Sequence, residues 1–205
     1  MRTNAAASAT LADVEAEVAA DEDLMLRYAA GEAAAFDALY ERHKGGVYRY
    51  LLRQLRDQTL AEELFQDIWL NLINARGRYR VRAKFTTWLY TLARNRLTDH
   101  YRRQKGVVAI SFDVPEEEEE DNLQEPEAPS SEQPERRLLA QEQLARFIAL
   151  VEGLPMAQRE AFLLHEEGGL GIDEIATATG VNRETAKSRL RYAIAKLKAG
   201  MDDCP

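Results

Sequence analysis

Cysteine is almost absent from this sequence: one residue, Cys204, in a chain of 205. A single thiol excludes an internal disulfide and any cysteine-rich zinc site, and it fits a reducing compartment. Proline is sparse outside one stretch, since Pro115, Pro126, Pro129 and Pro134 are four of the six prolines. Runs of β-branched residues are few, so little favours a sheet. No apolar stretch approaches the roughly 20 residues that span a bilayer. The opening "MRTNAAASATLADVEAEVAADED" lacks a long hydrophobic core and turns acidic, which argues against a secretory signal. Basic residues are in the minority, 27 against 35 acidic, for a net charge of −8.

What remains is a composition that is 45% hydrophobic, 30% charged and 8% aromatic. Alanine, leucine, glutamate and arginine dominate, and all are good helix formers. An all-α soluble protein follows, with a length that suits one medium domain or two small ones.

The charge is unevenly placed. Arg76, Arg78, Arg80, Arg82, Lys84, Arg94, Arg96, Arg102, Arg103 and Lys105 face only Asp99 in their block. Asp113, Glu116 to Glu120, Asp121, Glu125, Glu127, Glu132 and Glu135 then follow without a basic residue. A second basic block holds Arg183, Lys187, Arg189, Arg191, Lys196 and Lys198 against Glu184. Local field, not net charge, decides what each block binds. The acidic stretch is too poor in apolar residues to offset its ordering entropy, and reads as a flexible linker. The expected order is an acidic tail over 1–21, a helical domain over 22–105, a linker over 106–135 and a second helical domain over 136–200. The tail is expected to solubilise.

In the first domain, Leu24, Leu26 and Tyr28 open one helix, and Phe36, Leu39, Tyr40, Val47, Tyr50 and Leu51 repeat at helical spacing in the next. Gly45-Gly46 would loosen that second helix. In "LAEELFQDIWLNLINARG", Ala61, Leu64, Phe65, Ile68 and Leu72 share one face, and Glu63, Gln66, Asp67 and Leu70 share the opposite one. That polar face is either solvated or a docking face. Acid–base or metal chemistry by Glu62, Glu63 and Asp67 is disfavoured because no histidine lies at ligand spacing there. His165 with Glu166, and the adjacent Asp99 and His100, offer no better enzyme site.

"RGRYRVRAKFTTWLYTLARNRLTDHYRRQKG" alternates basic and apolar residues in a loop and continues as a helix from Phe85 to Arg103. Trp88, Leu89, Leu92, Ala93 and Leu97 can face the core, with Arg94, Asn95, Thr98, Asp99 and Arg102 elsewhere. Cations interleaved with Tyr79, Phe85, Trp88, Tyr90 and Tyr101 suit single-stranded nucleic acid, where each stacked base is worth about 1–3 kcal/mol. The alternative for Phe85 and Trp88 is core packing.

The second domain has a helix from Pro155 to about His165, broken by Gly168, Gly169 and Gly171. "IDEIATAT" is a short helix with Ile172, Ile175 and Ala176 inward. Gly180 makes a tight turn, and Asn182 caps a basic helix with Val181, Ala186 and Leu190 inward. This is the pattern of a helix-turn-helix, whose second helix enters a major groove. Arg183, Glu184, Lys187, Ser188 and Arg191 would face base edges, and Arg189, Lys196 and Lys198 phosphates.

"AEELFQDIWLNLINA…FTTWLYTLARNRLTDHYRR" resembles the second conserved region of bacterial sigma factors, and "LPMAQREAFLLHEEGGLGIDEIATATGVNRETAKSRLRYAIAKLK" their fourth. Together, with only a short linker, they resemble an extracytoplasmic-function (group IV) sigma factor of the sigma-70 family. The resemblance implies that Glu63, Gln66, Asp67 and Leu70 bind core RNA polymerase at its β′ coiled coil, with a further contact to the β flap. It implies that Arg78, Arg80, Arg82, Lys84, Phe85, Trp88, Arg94, Asn95, Asp99, Arg102 and Arg103 melt and read a −10 element. Arg183, Glu184, Lys187, Ser188, Arg189 and Arg191 would read a −35 element. Promoter DNA and an anti-sigma factor are the other implied partners, without membrane insertion. No cofactor, metal or nucleotide motif is present, and no enzymatic activity is expected. Two features depart from the family pattern: Tyr192 replaces a frequent arginine, and the linker is unusually acidic, either a nucleic-acid charge mimic at Glu116 to Glu120 or a plain tether. The competing assignment is a conventional helix-turn-helix regulator, which leaves the aromatic and basic block of the first domain without a role.

Overall fold

The computed structural model describes residues 19–104 and 134–202, which form eight α-helices and one 3-10 turn. No strand occurs among the described residues. The all-α expectation holds. The N-terminal tail to residue 18 and the acidic stretch 105–133 lie outside the described residues.

Helix α1 (Asp21–Ala29) opens with three acids, Asp21, Glu22 and Asp23, at its positive dipole end. Leu24 and Met25 are buried, whereas Leu26 is 44% exposed. Leu24, Leu26 and Tyr28 do open this helix, but Leu26 lies on its outer side. Two residues turn a helix by about 200°, so Leu24 and Leu26 cannot share a face. Tyr28 reaches the core from the edge, 5.0 Å from the ring of Phe36.

Helix α2 (Ala33–Leu55) runs unbroken through Gly45 and Gly46. The expected loosening is absent. Instead, Gly46 permits a close approach: a Cβ there would lie 2.8 Å from both the Glu167 carbonyl oxygen and the Tyr90 hydroxyl. The helix ends at Arg56 in the left-handed conformation, φ 54°, with its N–H on the Leu52 carbonyl. Helix α3 (Gln58–Ala75) is capped by Asp57, whose carboxylate accepts the Leu60 N–H at 2.9 Å. Ala61, Leu64, Ile68 and Leu72 are buried as the sequence pattern requires, and Trp69 joins them. Trp69 packs edge-on against Tyr40 at 4.8 Å and Phe36 at 5.9 Å, with Phe65 beside it.

A 3-10 turn (Arg76–Arg78) and a loop lead to α4 (Phe85–Gln104). The Glu22 carboxylate accepts the Phe85 N–H at 2.6 Å, so α1 supplies the cap of α4. Leu89, Ala93 and Leu97 are buried, and Tyr101 donates its hydroxyl to the Gln54 carbonyl at 3.1 Å.

The second half comprises α5 (Pro134–Glu152), α6 (Met156–Glu166), α7 (Ile172–Thr179) and α8 (Arg183–Asp202). Pro155 sits just before α6, and its carbonyl accepts the Gln158 and Arg159 N–H groups. Gly169 takes φ 61° in the break between α6 and α7, a conformation that favours glycine. Leu154, Phe162, Leu164, Ile175, Ala186, Leu190 and Leu197 form the apolar centre of this half. Buried apolar side chains continue from one half into the other. Helices α2 and α4 lie against α6 and α7.

The Asp57 cap is isolated enough to test alone. Asp57→Ala is expected to cost about 1 kcal/mol, seen as a Tm lower by about 2–4 °C in thermal unfolding. Asp57→Ser is expected to retain most of the stability.

Candidate nucleic-acid interface

The outer face of α3 presents Glu63, Gln66 and Leu70 to solvent, with Leu70 55% exposed. Asp67 differs from its neighbours. It is half-buried, and its carboxylate holds the Arg96 guanidinium of α4 with Nε at 2.8 Å. Asp67 therefore ties α3 to α4, and Arg96 was not singled out by the periodicity.

Between α3 and α4, Arg78, Arg80, Arg82 and Lys84 are all exposed. Tyr79 anchors this loop. It is buried, and its ring lies 5.0 Å from Trp88 and 6.5 Å from Phe85. Burial, with the charges of Glu22 and Asp21, pushes the Tyr79 hydroxyl up to about 12. Below the loop, a cleft of about 700 Å³ is lined by Asp21, Glu22, Arg42, Val81, Arg82 and Lys84 among others. Asp21 at its base accepts from Arg42 at 2.7 Å and lies 2.8 Å from His43 Nε2. Burial pushes its carboxyl up, but the bonds and charges of His43 and Arg42 outweigh this and hold it below the ordinary value.

The aromatic residues of the segment separate into two roles. Phe85 is fully buried and Tyr90 is 1% exposed. Phe85 is thereby moved from the expected DNA surface into the core, because it is the first residue of α4 and turns under the loop onto His43 and Tyr79. Trp88 is half-buried and keeps an edge toward the basic loop. Asn95, Asp99, Arg102 and Arg103 stand exposed along α4. Arg94 does not. Its Nε lies 2.9 Å from Glu160 of α6, a carboxylate only 2% exposed. Lys84 likewise meets Glu174 of α7 at 3.1 Å.

In the second half, Gly180 ends α7 at φ 70°, and its N–H and that of Val181 both bond the Ala176 carbonyl. This αL closure turns the chain sharply. Asn182 then caps α8 by accepting the Thr185 N–H at 2.8 Å. Arg183, Glu184, Lys187 and Arg191 project from the first three turns and are exposed. Ser188 is half-buried and donates its hydroxyl to the Thr185 carbonyl, which withdraws it from the outward row. Arg189 is half-buried as well and acts on Glu160 from the α8 side. Tyr192 is 52% exposed, with the Arg191 guanidinium 4.9 Å from its ring centroid. Arg183 pairs with Asp173 of α7 at 2.9 Å.

Glu152, Glu160, Glu167 and Glu174 went unnoticed in the sequence, although the last three recur every seven residues. Among the described residues no cluster of His, Cys, Asp or Glu could hold a metal ion, and no helix is long and apolar enough to cross a membrane.

The chain is similar to known proteins in sequence and in fold. Residues 39–107 match the family model of sigma-70 region 2, and residues 144–197 that of sigma-70 region 4. The chain is 30% identical to the RNA polymerase sigma factor CarQ of Myxococcus xanthus, over 85% of this chain and 93% of that protein. It is 31% identical to the ECF RNA polymerase sigma factor SigK of a Mycobacterium species (strain KMS), over 88% and 91%. In fold, it resembles CnrH in its complex with the cytosolic domain of CnrY, with a TM-score of 0.62, 22% identity and coverage of 91% of this chain and all of that one. It also resembles the Bartonella quintana sigma factor RpoE in complex with the anti-sigma factor NepR, with a TM-score of 0.60, 19% identity and coverage of 83% and 98%.

The depressed Asp21 carboxyl gives a pH signature. Its contribution to stability is present above the ordinary aspartate value of 3.8 and is lost as pH falls through the lower folded value. Asp21→Asn is expected to unfold at a lower temperature than the parent at pH 7. The two melting curves are expected to converge as pH falls below the ordinary aspartate value and through the lower folded one. Calorimetry across that range checks it, and a constant offset would rule the linkage out.

Proposed function

The chain belongs to the extracytoplasmic-function sigma factors of the sigma-70 family, and from that premise we propose which surfaces carry each step of promoter recognition. As a sigma factor it binds core RNA polymerase, directs it to promoters and helps open the −10 region. The region 2 unit comprises α1 to α4 and the region 4 unit α5 to α8, joined through the acidic linker.

The outer face of α3, with Glu63, Gln66 and Leu70, docks on the β′ coiled coil, while Asp67 fixes the angle of that face through Arg96. Region 4 meets the β flap. Arg78, Arg80, Arg82 and Lys84 on the loop, with Asn95, Asp99, Arg102 and Arg103 on α4, hold the single strand of the −10 element. A base flipped from the duplex loses a few kcal/mol of stacking and pairing, and contacts in the pocket recover it. Trp88 offers the stacking edge beside Tyr79, and Arg94 joins this surface once parted from Glu160. In region 4, Arg183, Glu184, Lys187 and Arg191 read the −35 element in the major groove, where Arg and Lys suit guanine and Glu suits cytosine N4. Ser188 is turned back onto the Thr185 carbonyl of its own helix, and Arg189 takes a phosphate when α8 is docked.

The observation that carries this assignment is the fixed exit of α8. The Gly180 turn and the Asn182 cap aim one exposed row of Arg183, Lys187 and Arg191 away from the core. Chemistry resides in the polymerase, and the sigma factor itself performs none. The working compartment is the cytoplasm. An anti-sigma factor is a further partner, as NepR is for the RpoE relative in fold.

The test is transcription with purified core RNA polymerase on fragmented genomic DNA, with RNA 5′ ends mapped. New starts that share two motifs at fixed spacing are the expected outcome. Specific duplex binding by the chain alone without new starts would instead make it a conventional regulator. Within the reconstituted system, Lys187→Ala is expected to cost about 1–3 kcal/mol and to flatten preference at one position of the upstream motif. Arg102→Ala and Arg103→Ala are expected to weaken all promoters alike and each to lower the salt slope by about one. A randomised promoter library, read at two salt concentrations, separates these outcomes.

A further inference from the structure

Region 2 and region 4 are held together by an acidic row on one that meets a basic row on the other. Glu152 lies 3.2 Å from Arg53, Glu160 2.9 Å from Arg94, Glu167 2.8 Å from Arg49 and Glu174 3.1 Å from Lys84. In each pair the acid belongs to region 4 and the base to region 2. Two of the bases, Lys84 and Arg94, lie on the surface assigned to the −10 strand. Their carboxylate partners stand where phosphates would.

The same contact joins the two DNA-reading ends. Glu174 holds Lys84, and its chain neighbour Asp173 holds Arg183 at the start of α8. Those two acids are one peptide step apart, about 3.8 Å between Cα atoms. Elements centred near −10 and −35 are separated by roughly 25 base pairs, about 85 Å of duplex at 3.4 Å per step. A chain that keeps this contact cannot engage both elements.

The seam is also built to part. The Glu160 carboxylate is 2% exposed, yet its Oε2 has no hydrogen-bond partner, and neither does the hydroxyl of fully buried Tyr50 near it. A buried ion pair with unmet lone pairs adds little net stability, since opening returns both charges to water. Close packing at Gly46 and the bond from the Tyr90 hydroxyl to the Glu167 carbonyl, at 2.6 Å, complete the seam.

We propose that the free sigma factor masks itself: Glu160 and Glu174 of region 4 occupy the cationic −10 surface of region 2 at Arg94 and Lys84, with Glu152 and Glu167 holding the seam beside it, and are displaced before single-stranded DNA binds there. This rests on the assignment of residues 78–103 as the −10 surface.

Gly46→Ala tests it without changing charge. Alanine strengthens a helix interior relative to glycine, so region 2 is expected to stay folded. The added methyl, 2.8 Å from both the Glu167 carbonyl oxygen and the Tyr90 hydroxyl that bonds it, wedges the seam, and the Tyr90 hydroxyl is freed to shift once that bond is broken. For the full chain, small-angle scattering and anisotropy of a labelled mixed-sequence single-stranded 15-mer are read at low salt. The expected result is a larger radius of gyration and binding at least fivefold tighter than the parent. Adding Arg102→Ala and Arg103→Ala is expected to abolish the gain. Expansion without tighter binding overturns the masking, and an unexpanded variant with parental binding overturns the seam. If Gly46→Ala does not fold, Glu167→Gln with Glu174→Gln is read in the same way. Failure of the family-based assignment would appear separately, as parental chain that gives no new starts with core polymerase.

Discussion

The buried pair of Arg94 and Glu160 is the contact around which both halves of the chain are arranged. Arg94 comes from α4, the helix that carries much of the basic block, and Glu160 from α6, the helix that supports the helix-turn-helix. Burial pushes the Glu160 carboxyl up, against the pull of Arg94 and Arg189. The ionised form is therefore stabilised less there than it would be in water. Tyr50, Tyr101 and Arg159 close the same space from α2, α4 and α6. Such a contact sets geometry more than it adds stability. It fixes which face of α4 meets α6 while leaving the two halves separable.

The fold was legible because its elements obey helical periodicity. The stripe Ala61, Leu64, Ile68 and Leu72 is buried as spaced, and the Gly180 turn and Asn182 cap lie where the residue types placed them. Leu26 lies outward, since three apolar residues at alternate positions cannot all face inward on a helix. Local spacing misjudged Gly45 and Gly46. Glycine in a helix weakens it locally, but here Gly46 answers to the backbone of Glu167, far downstream in the chain, a tertiary demand that no local window contains.

The site was legible in outline and not in its pairing. Charge blocks and aromatic interleaving marked the loop and α4, and exposure of Arg78, Arg80, Arg82, Asn95, Arg102 and Arg103 agrees with a surface role. Composition could not tell Phe85 from Trp88, because both sit on one basic helix and only the cap from Glu22 fixes which ring turns under the loop. Nor could it show that Arg94 and Lys84 already have carboxylate partners. Those partners lie on α6 and α7, and their seven-residue recurrence crosses a glycine break, so no single helix carries it.

An acidic protein that binds DNA has to limit unproductive contact with phosphates, and two routes are open to it. Negative charge spread over the surface lowers non-specific affinity everywhere and depends on salt. Carboxylates seated on the cations themselves act only where DNA would bind, and they do so in partly buried sites where screening is weak. The row on region 4 belongs to the second kind, with Glu160 and Glu174 less exposed than the surface acids of α3. Its effect vanishes once the halves part, so the chain keeps its full cationic surface for the open complex. Diffuse acidity cannot be switched off in this way, which is the physical reason to place the mask in the seam between the two DNA-reading domains.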